Sequence, residues 1–564
     1  MSTRITIDPI TRIEGHLRVD VELDGNTVRS AWVSATMFRG LENILRGRDA
    51  REAWTIVQRI CGVCTTVHAI ASVRAVEDAL GLQIPDNAQF IRNLILIHHA
   101  LRDHAVHFYQ LSSLDWIDVQ QAAHADPSRA ASLAARHSAW TANSAEQMRS
   151  TRERMARTIA SGQMGLFESG YWGHPAMHIA PEQSLIVLAH YMQAFEFQSK
   201  ASQVVAMLGG KTPHIQNLTV GGVANAIGLD GEAVFGVEQL AAMRTLVGEV
   251  GGFIREVYFP DACAIAGAYP EWFDVGRGVD RLLALPELPR DGAGRACDLP
   301  GGSLRGFPAG RAVAPHTDEG FRRAVTEDTA RAYYENNKPL HPWKGETKPE
   351  LTEWEAGGKY SWVKAARYDG EVAEVGPLAS VLAGYLQGNA LTRKWTDLAL
   401  ARTSQITGRP VTLDHLSSTM GRHLARAIRA AVLSELAIEH WQLLMDNIAR
   451  GDAATHNPPT FPSSEISGVG LHEAPRGALS HWVVIEKGVI RNYQAVVPST
   501  WNASPRDSRG TPGPYESALA GLHVADPERP LEVLRTLHAF DPCMACACHA
   551  FDTKGRKLSD VKVL

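Results

Sequence analysis

Cysteine is scarce in this chain, basic charge is not in excess, and no apolar run is long enough to cross a bilayer. Each shortage excludes something. Lys and Arg number 56 against 61 Asp and Glu, a formal net charge of −5, so the basic footprint of a nucleic-acid binder is missing. The most apolar stretches, such as Ile428 to Ile438, are broken by charge and fall well short of the ~20 residues that a membrane span needs. The N-terminal Met1-Ser2-Thr3-Arg4-Ile5-Thr6-Ile7-Asp8-Pro9 has no apolar core, so no signal peptide is expected, and export would depend on a partner's signal. The seven cysteines are Cys61, Cys64, Cys263, Cys297, Cys543, Cys546 and Cys548, an odd and sparse set that argues against a disulfide framework. What is present is ordinary globular composition, 45% hydrophobic and 21% charged over 564 residues. A chain of that length buries a full core unaided and has room for roughly three or four domains.

The chain opens as β structure. Leu17-Arg18-Val19-Asp20-Val21-Glu22-Leu23 alternates with period two, Asp24-Gly25-Asn26 signals a turn, and Thr27 to Val33 resumes the alternation. The preceding loop, Asp8 to His16, carries Glu14 without an evident structural role. Asp49 is placed to cap a helix running through Ala53, Trp54, Val57 and Ile60, which delivers Cys61. Apolar residues at three- and four-residue spacing then predict long helices over Asn87–Leu111, Glu182–Leu208, Glu232–Val257, Leu391–Ile406 and Thr419–Arg450. Several exceed 20 residues, which suits bundle packing. Gly, Pro and charge become frequent between 284 and 380, where strands and irregular structure are expected. A hairpin is expected around Glu486-Lys487-Gly488, then a Pro- and Gly-rich loop from Pro498 to Pro514 and a short helix over Pro530–His538. The predicted fold is α+β and predominantly helical: a central long-helix bundle with smaller β elements from the two terminal segments.

Five of the seven cysteines fall in two motifs near opposite ends. The first is Arg59-Ile60-Cys61-Gly62-Val63-Cys64-Thr65-Thr66-Val67-His68, and the second is Asp541-Pro542-Cys543-Met544-Ala545-Cys546-Ala547-Cys548-His549. One Cys-x-x-Cys pair is ambiguous between redox dithiol and half a zinc site. Two pairs can make a four-cysteine site that closes the fold around structural zinc, holds a catalytic metal or ligates an iron–sulfur cluster. If both pairs share a metal, the termini meet in one unit. The neighbours favour chemistry over plain closure. A histidine follows each pair, and the carboxylates Glu14 and Asp541 and the Arg476 guanidinium of Glu473-Ala474-Pro475-Arg476-Gly477 stand in turn-like sequence, as proton handling requires.

These two motifs resemble the paired signatures of nickel–iron hydrogenase large subunits. Arg12-Ile13-Glu14-Gly15-His16, Phe38-Arg39-Gly40-Leu41-Glu42, Ala474-Pro475-Arg476-Gly477 and Val497-Pro498-Ser499-Thr500-Trp501-Asn502 match further segments of that family in the same order. The resemblance runs from about residue 4 to 564 and is greatest to the membrane-associated uptake class. It implies that Cys61 and Cys543 are terminal thiolates on nickel. Cys64 and Cys546 would bridge nickel to an iron that carries CO and two cyanides. Arg476 would hang over the open position, held by Asp103 and Asp541. Ser499 would bond a cyanide, His68 would support the Cys64 sulfur, and Glu14 would accept the proton beyond Cys543. A third metal, magnesium, would take Glu42, the Ala495 carbonyl and His549. Residues 1–549 would form one large-subunit unit, with 550–564 an extension removed after His549 on maturation.

The implied reaction is reversible heterolytic cleavage of H2 to two protons and two electrons, run in the uptake direction. Soft thiolates suit nickel and leave its geometry open. A guanidinium is effectively always charged, so Cys543 is the expected proton acceptor and Arg476 an electrostatic positioner. A cubane cluster takes four cysteines, and only Cys263, Cys297 and Cys548 remain, so the electrons need a separate iron–sulfur small subunit. Other implied partners are a membrane electron acceptor reached through that subunit and a maturation endopeptidase. The heterodimer would stand alone or pair into a dimer of heterodimers, on the periplasmic side of the cytoplasmic membrane. A metal-free quinone-reductase core protein would lack the four cysteines, and a hydrogen sensor would lack the tail. Other features are read as structural. Gly210-Lys211-Thr212 lacks the glycine and strand of a phosphate loop. His98, His99, His104 and His107 are packing residues of one helix, and Cys263, Cys297 and Cys548 are inert thiols.

Overall fold

The computed structural model describes residues 3–168, 170–227 and 236–547. His549, Cys548 and the extension 550–564 therefore lie outside the described residues. The N-terminal alternation forms an antiparallel meander of β1 (Thr3–Ile7), β2 (Leu17–Asp24) and β3 (Thr27–Ala35), joined at Gly25, which takes φ +59° in the β2–β3 turn. Between β1 and β2 the polar loop with Glu14 turns inward rather than out to solvent.

The five helices that the spacing predicts are present with shifted ends, as α2 (Asp86–Val106), α3 (Pro181–Gly209), α4 (Val237–Phe253), α6 (Ala390–Thr407) and α7 (Thr419–Ala449), residues 232–235 of the fourth prediction lying outside the described residues. Two more, α1 (Thr65–Leu80) and α5 (Phe259–Ala268), are not among them. Helix α2 continues past Val106 through a widened π turn, His107–Ser112, and the segment Ile254–Tyr258 joins α4 to α5 in the same way. Helix α3 starts on Pro181, whose missing N–H costs nothing in a first turn. The Ser418 hydroxyl accepts from the Gly421 N–H at 2.9 Å and caps α7. Helix α2 packs against α3 and α7, α4 against α3 and α7, and α5 against α6 and α7. The predicted helix below Cys61 is instead a short α segment, Ala53–Val57, between two 3₁₀ turns.

Residues 281–375 form small sheets. One is four-stranded, with Arg281–Ala284 between Gly302–Arg305 and a parallel Glu374–Val375. The C-terminal hairpin is longer than expected: β4 (Glu465–Ala474), β5 (Gly477–Glu486) and β6 (Val489–Val496) form a meander. A short helix α8 (Leu531–His538) then leads to Asp541.

Helix α1 lies directly on β4 and β5. Gly468 and Gly470 make this possible, because a Cβ at Gly470 would sit 1.8 Å from the Ala71 carbonyl oxygen and one at Gly468 2.3 Å from that of Ala75. That contact brings the residues before α1 to the β4–β5 turn. The main hydrophobic core takes in residues from both ends of the chain, Ile10 and Cys543 among them.

Candidate metal centre

The first cysteine pair is built locally. Cys61 follows the 3₁₀ turn Gln58–Ile60, and Cys64 is the N-cap residue of α1. The amides of Val63 and Cys64 both point at the Cys61 sulfur, at 3.2 Å each, as amides free at a helix start do. The second pair arrives from the other end of the chain on a short turn, Met544–Ala547. Asp541 enters it with φ +61°, a left-handed conformation that Asp tolerates better than most residues. The segment is stitched to the N-terminal loop: Met544 N–H donates to the Glu14 carbonyl at 2.7 Å and Ala545 N–H to the Glu14 carboxylate at 3.1 Å. Gly15, at φ +81°, permits this approach, since a Cβ there would lie 2.5 Å from the Ala545 nitrogen.

Together the four sulfurs form one buried cluster, all within 4.8 Å of one another. Cys64 Sγ is 2.7 Å from Cys546 Sγ, Cys543 Sγ is 3.0 Å from Cys546 Sγ, and Cys61 Sγ is 3.3 Å from Cys543 Sγ. Burial opposes ionisation of every one. It pushes Cys64 up to about 12 and raises Cys543 and Cys546 too. Cys61 alone is held below the ordinary thiol range, where bonds from the other thiols and the Cys64 amide overcome burial. Four thiolates in such a space require a cation to compensate them. The donor set is soft, which selects nickel, iron or zinc over magnesium or calcium.

Arg476 occupies the two-residue turn between β4 and β5, where Ala474 pairs with Gly477. Sequence pattern did not place this guanidinium; the flanking ten-residue strands do. It reaches Asp103 at 3.3 Å and Asp541 at 3.0 Å, and all three are buried. Burial opposes its charge, but Asp541, Cys543, Asp103 and Cys64 outweigh that and hold the guanidinium protonated far above the ordinary range. A second cation unmarked in the sequence, Arg426 on α7, lies 3.4 Å from the other Asp541 oxygen.

Glu14 Oε2 accepts from the Cys543 thiol at 3.3 Å. Burial, reinforced by charge at Cys61, pushes Glu14 up to about 7 against the pull of Cys543 and Arg476. The Ser499 hydroxyl accepts from Cys543 N–H at 3.1 Å. Beside the sulfurs is a small recess walled by Val67, Ala474, Pro475, Leu479 and Pro498, with Arg476 and Ser499 as its polar margin. It is apolar and narrow.

His68, expected beside the Cys64 sulfur, has its Nε2 3.3 Å from the Cys546 sulfur. The ring is turned by a relay not foreseen from sequence: His68 Nδ1 is 3.0 Å from His481 Nε2, His481 Nδ1 is 2.6 Å from the Tyr493 hydroxyl, and Tyr493 donates to Ser72 at 2.9 Å. His481 and Tyr493 face one another from β5 and β6, and nothing local in a strand marks such a role.

Glu42 and Ala495 also meet, through the Ala495 N–H, which donates to Glu42 Oε1 at 3.0 Å. Lys364 lies 3.2 Å from Glu42 and 3.3 Å from Glu327, and Thr347 donates to Glu42 as well. Two buried carboxylates thus face one ammonium. Cys263 and Cys297 lie outside the cluster, and burial raises both thiols, Cys263 to about 12 and Cys297 to about 11. Among the described residues no helix is long and apolar enough to cross a membrane.

Known proteins resemble this chain over nearly its whole length. The family described as nickel-dependent hydrogenase matches residues 39–549, and one described as HoxL-like matches residues 4–38. The hydrogenase-2 large chain of Escherichia coli K12 is 47% identical, with 100% of each chain covered. The uptake hydrogenase large subunit of Bradyrhizobium diazoefficiens is 40% identical over 99% of this chain and 97% of its own length. Among solved structures, the reduced Ni-Fe-Se hydrogenase of D. vulgaris Hildenborough superposes with a TM-score of 0.79 at 31% identity, covering 97% of this chain and 100% of its own.

Proposed function

The chain belongs to the nickel-dependent hydrogenase family, and we propose that it is the catalytic large subunit of an uptake enzyme that splits H2 into two protons and two electrons. The observation that carries this reading is the buried four-sulfur cluster with Glu14 on one sulfur and an ion-paired Arg476 beside it. The four cysteines fit nickel and iron: they are soft, close together and in need of cationic charge. The apolar recess suits CO and two cyanides on the iron, with Ser499 as hydrogen-bond partner for one of them. When bound, the metals supply the Lewis acidity that polarises H2, a molecule with no polar handle of its own.

The protein's part is to move the proton. Cys61 and Cys543 are assigned as terminal thiolates, and Cys64 and Cys546 as the bridging pair. Cys543 Sγ takes the proton, and Glu14 Oε2, already within hydrogen-bond distance, accepts it. Arg476, fixed by Asp103 and Asp541, stays cationic and orients charge above the sulfurs. His68 steadies Cys546 and, through His481 and Tyr493, the orientation of its own ring.

Glu42, the Ala495 carbonyl and His549 are assigned to a magnesium site. Glu42 and Ala495 are already adjacent, with the Ala495 N–H donating to Glu42 Oε1 at 3.0 Å, and a carboxylate and a carbonyl are the oxygen donors that magnesium takes. Electrons leave to an iron–sulfur small subunit and from there to a membrane acceptor. Residues 1–549 are the working unit, exported with that partner to the periplasmic side. An endopeptidase removes 550–564 once nickel is in place.

Infrared spectroscopy of the processed heterodimer should show CO and cyanide stretches, with nickel and iron present in equal amounts. Stoichiometric zinc without such bands would overturn the reading.

A further inference from the structure

Asp115 touches none of the cysteines, yet it joins the two segments that set the distance between Glu14 and Cys543. It is wholly buried just after the π turn that ends α2. On one side it pairs with Arg12, two residues before Glu14; the Arg12 guanidinium also donates to the Leu111 carbonyl at 2.6 Å. Arg12 adopts φ +54°, an uncommon conformation for a side chain of its size, and here it carries a buried ion pair.

On the other side Asp115 Oδ2 lies 2.6 Å from Nδ1 of His538, at the end of α8 and five residues before Cys543. Nε2 of the same ring is 2.9 Å from the Thr11 carbonyl oxygen. A carboxylate and a carbonyl only accept hydrogen bonds, so each ring nitrogen is placed to donate. His107 also donates to the His538 carbonyl, at 2.6 Å. Arg535, one turn earlier on α8, donates to the Asp115 carbonyl at 2.8 Å and lies 4.3 Å from the Trp116 ring centre and 4.9 Å from that of Tyr269. Arg12 and His538 therefore converge on one carboxylate from opposite ends of the chain. Burial opposes its charge, but Arg12 and His538 hold it well below the ordinary carboxylate range.

We propose that Asp115 is the positioning residue for proton exit: by binding Arg12 and His538 at once, it registers the Glu14 loop against the Cys543 segment. The proposal rests on the reading of Glu14 as proton acceptor. The registry has chemical weight because a displacement of about 1 Å between reacting groups can cost ~10²-fold in rate, and the Cys543–Glu14 separation of 3.3 Å has little slack. The backbone bonds from Met544 and Ala545 to Glu14 act on the same segments but adjoin the site itself. The Asp115 bracket holds them from one layer further out.

The test uses the processed heterodimer carrying Asp115→Asn. Deuterium exchange between D2 and water should slow ~10- to 100-fold. Para-to-ortho conversion of H2, which needs cleavage but no proton exit, should persist, as should the infrared CO and cyanide bands. Amide hydrogen exchange should rise in residues 10–17 and 538–547 and stay unchanged in α1. The double variant Glu14→Gln/Asp115→Asn should exchange no more slowly than Glu14→Gln alone, because the two act through one step. If Asp115→Asn does not load metal, Arg12→Met, which releases only the loop arm, should give the same pattern.

Wild-type solvent exchange in these variants, alongside a blocked Glu14→Gln, would overturn the role of Asp115. So would losses that multiply in the double variant. Retained exchange in Glu14→Gln itself would remove the Glu14 relay, and the Asp115 proposal with it.

Discussion

Cys61 and Cys64 are held by their own neighbours, whereas Cys543 and Cys546 are held by residues distant in sequence, Glu14 and His68 from the far end of the chain and Ser499 from 44 positions upstream. The Cys61 sulfur is bonded by the amides of Val63 and Cys64, and Cys64 caps the helix that follows. Around Cys543 the corresponding bonds come from Glu14 and Ser499. The spacing of the two pairs is identical, but the first is a product of local chain geometry and the second of docking. A half-site that forms early and a half-site that docks onto it would let metal enter before closure, which suits the proposed removal of 550–564 after loading.

Four substitutions would sharpen or break this contrast. The largest effect is expected from Cys543→Ala, which removes a ligand and the first proton acceptor together. Hydrogen-dependent dye reduction should be lost, and appreciable activity would deny Cys543 its role. Gly15→Ala should come next. Its Cβ would fall 2.5 Å from the Ala545 nitrogen, and such overpacking costs typically ~1–3 kcal/mol on top of ~1–2 kcal/mol for the left-handed conformation. Metal content should fall while hydrogen exchange in α1 stays normal. Loosening of α1 as well would mean that the halves are not separately supported.

Glu14→Gln keeps the shape of the dock but removes the acid–base function. Proton exchange should drop ~10²- to 10⁴-fold, with nickel and iron retained. A parallel loss of metal would assign Glu14 to structure instead. The smallest effect concerns the frame under the first half. Burial pushes Glu473 on β4 from its ordinary 4.5 up to about 8, against the pull of Arg429. Between those values the folded chain keeps a proton that the unfolded chain has released, so this group's contribution to stability falls as pH rises through that window. In Glu473→Gln the decline in Tm between pH 5 and pH 8 should be shallower by a few degrees. An unchanged slope would show that Glu473 titrates as in the unfolded chain.

Most of the frame and the identity of the four ligands were legible before folding was considered. Helices α2, α3 and α7 are long enough for their 3.6-residue period to stand out. Cys-x-x-Cys pairs are rare enough to mark themselves. The helix below Cys61 was over-read because a capping aspartate was followed by a helical pattern only one turn and a half long. The Arg476 loop proved to be a hairpin tip because β4 carries the glycines Gly468 and Gly470, which blur its alternation while letting α1 lie close. The relay behind His68 and the Asp115 bracket were invisible for a different reason. Each joins residues hundreds of positions apart, and neither partner has a local signature.

The sequence by itself determined the kinds of ligand, their spacing and the helices around them, because ligand chemistry and helical period are properties of a few consecutive residues. Only the tertiary structure decided that His68 meets Cys546 and that one aspartate holds both ends of the chain in register. Those pairings follow from how α1 lies on β4 and how α8 lies on the turns that follow α2. Such packing is fixed by the volumes and charges of the whole core and by no single stretch of it.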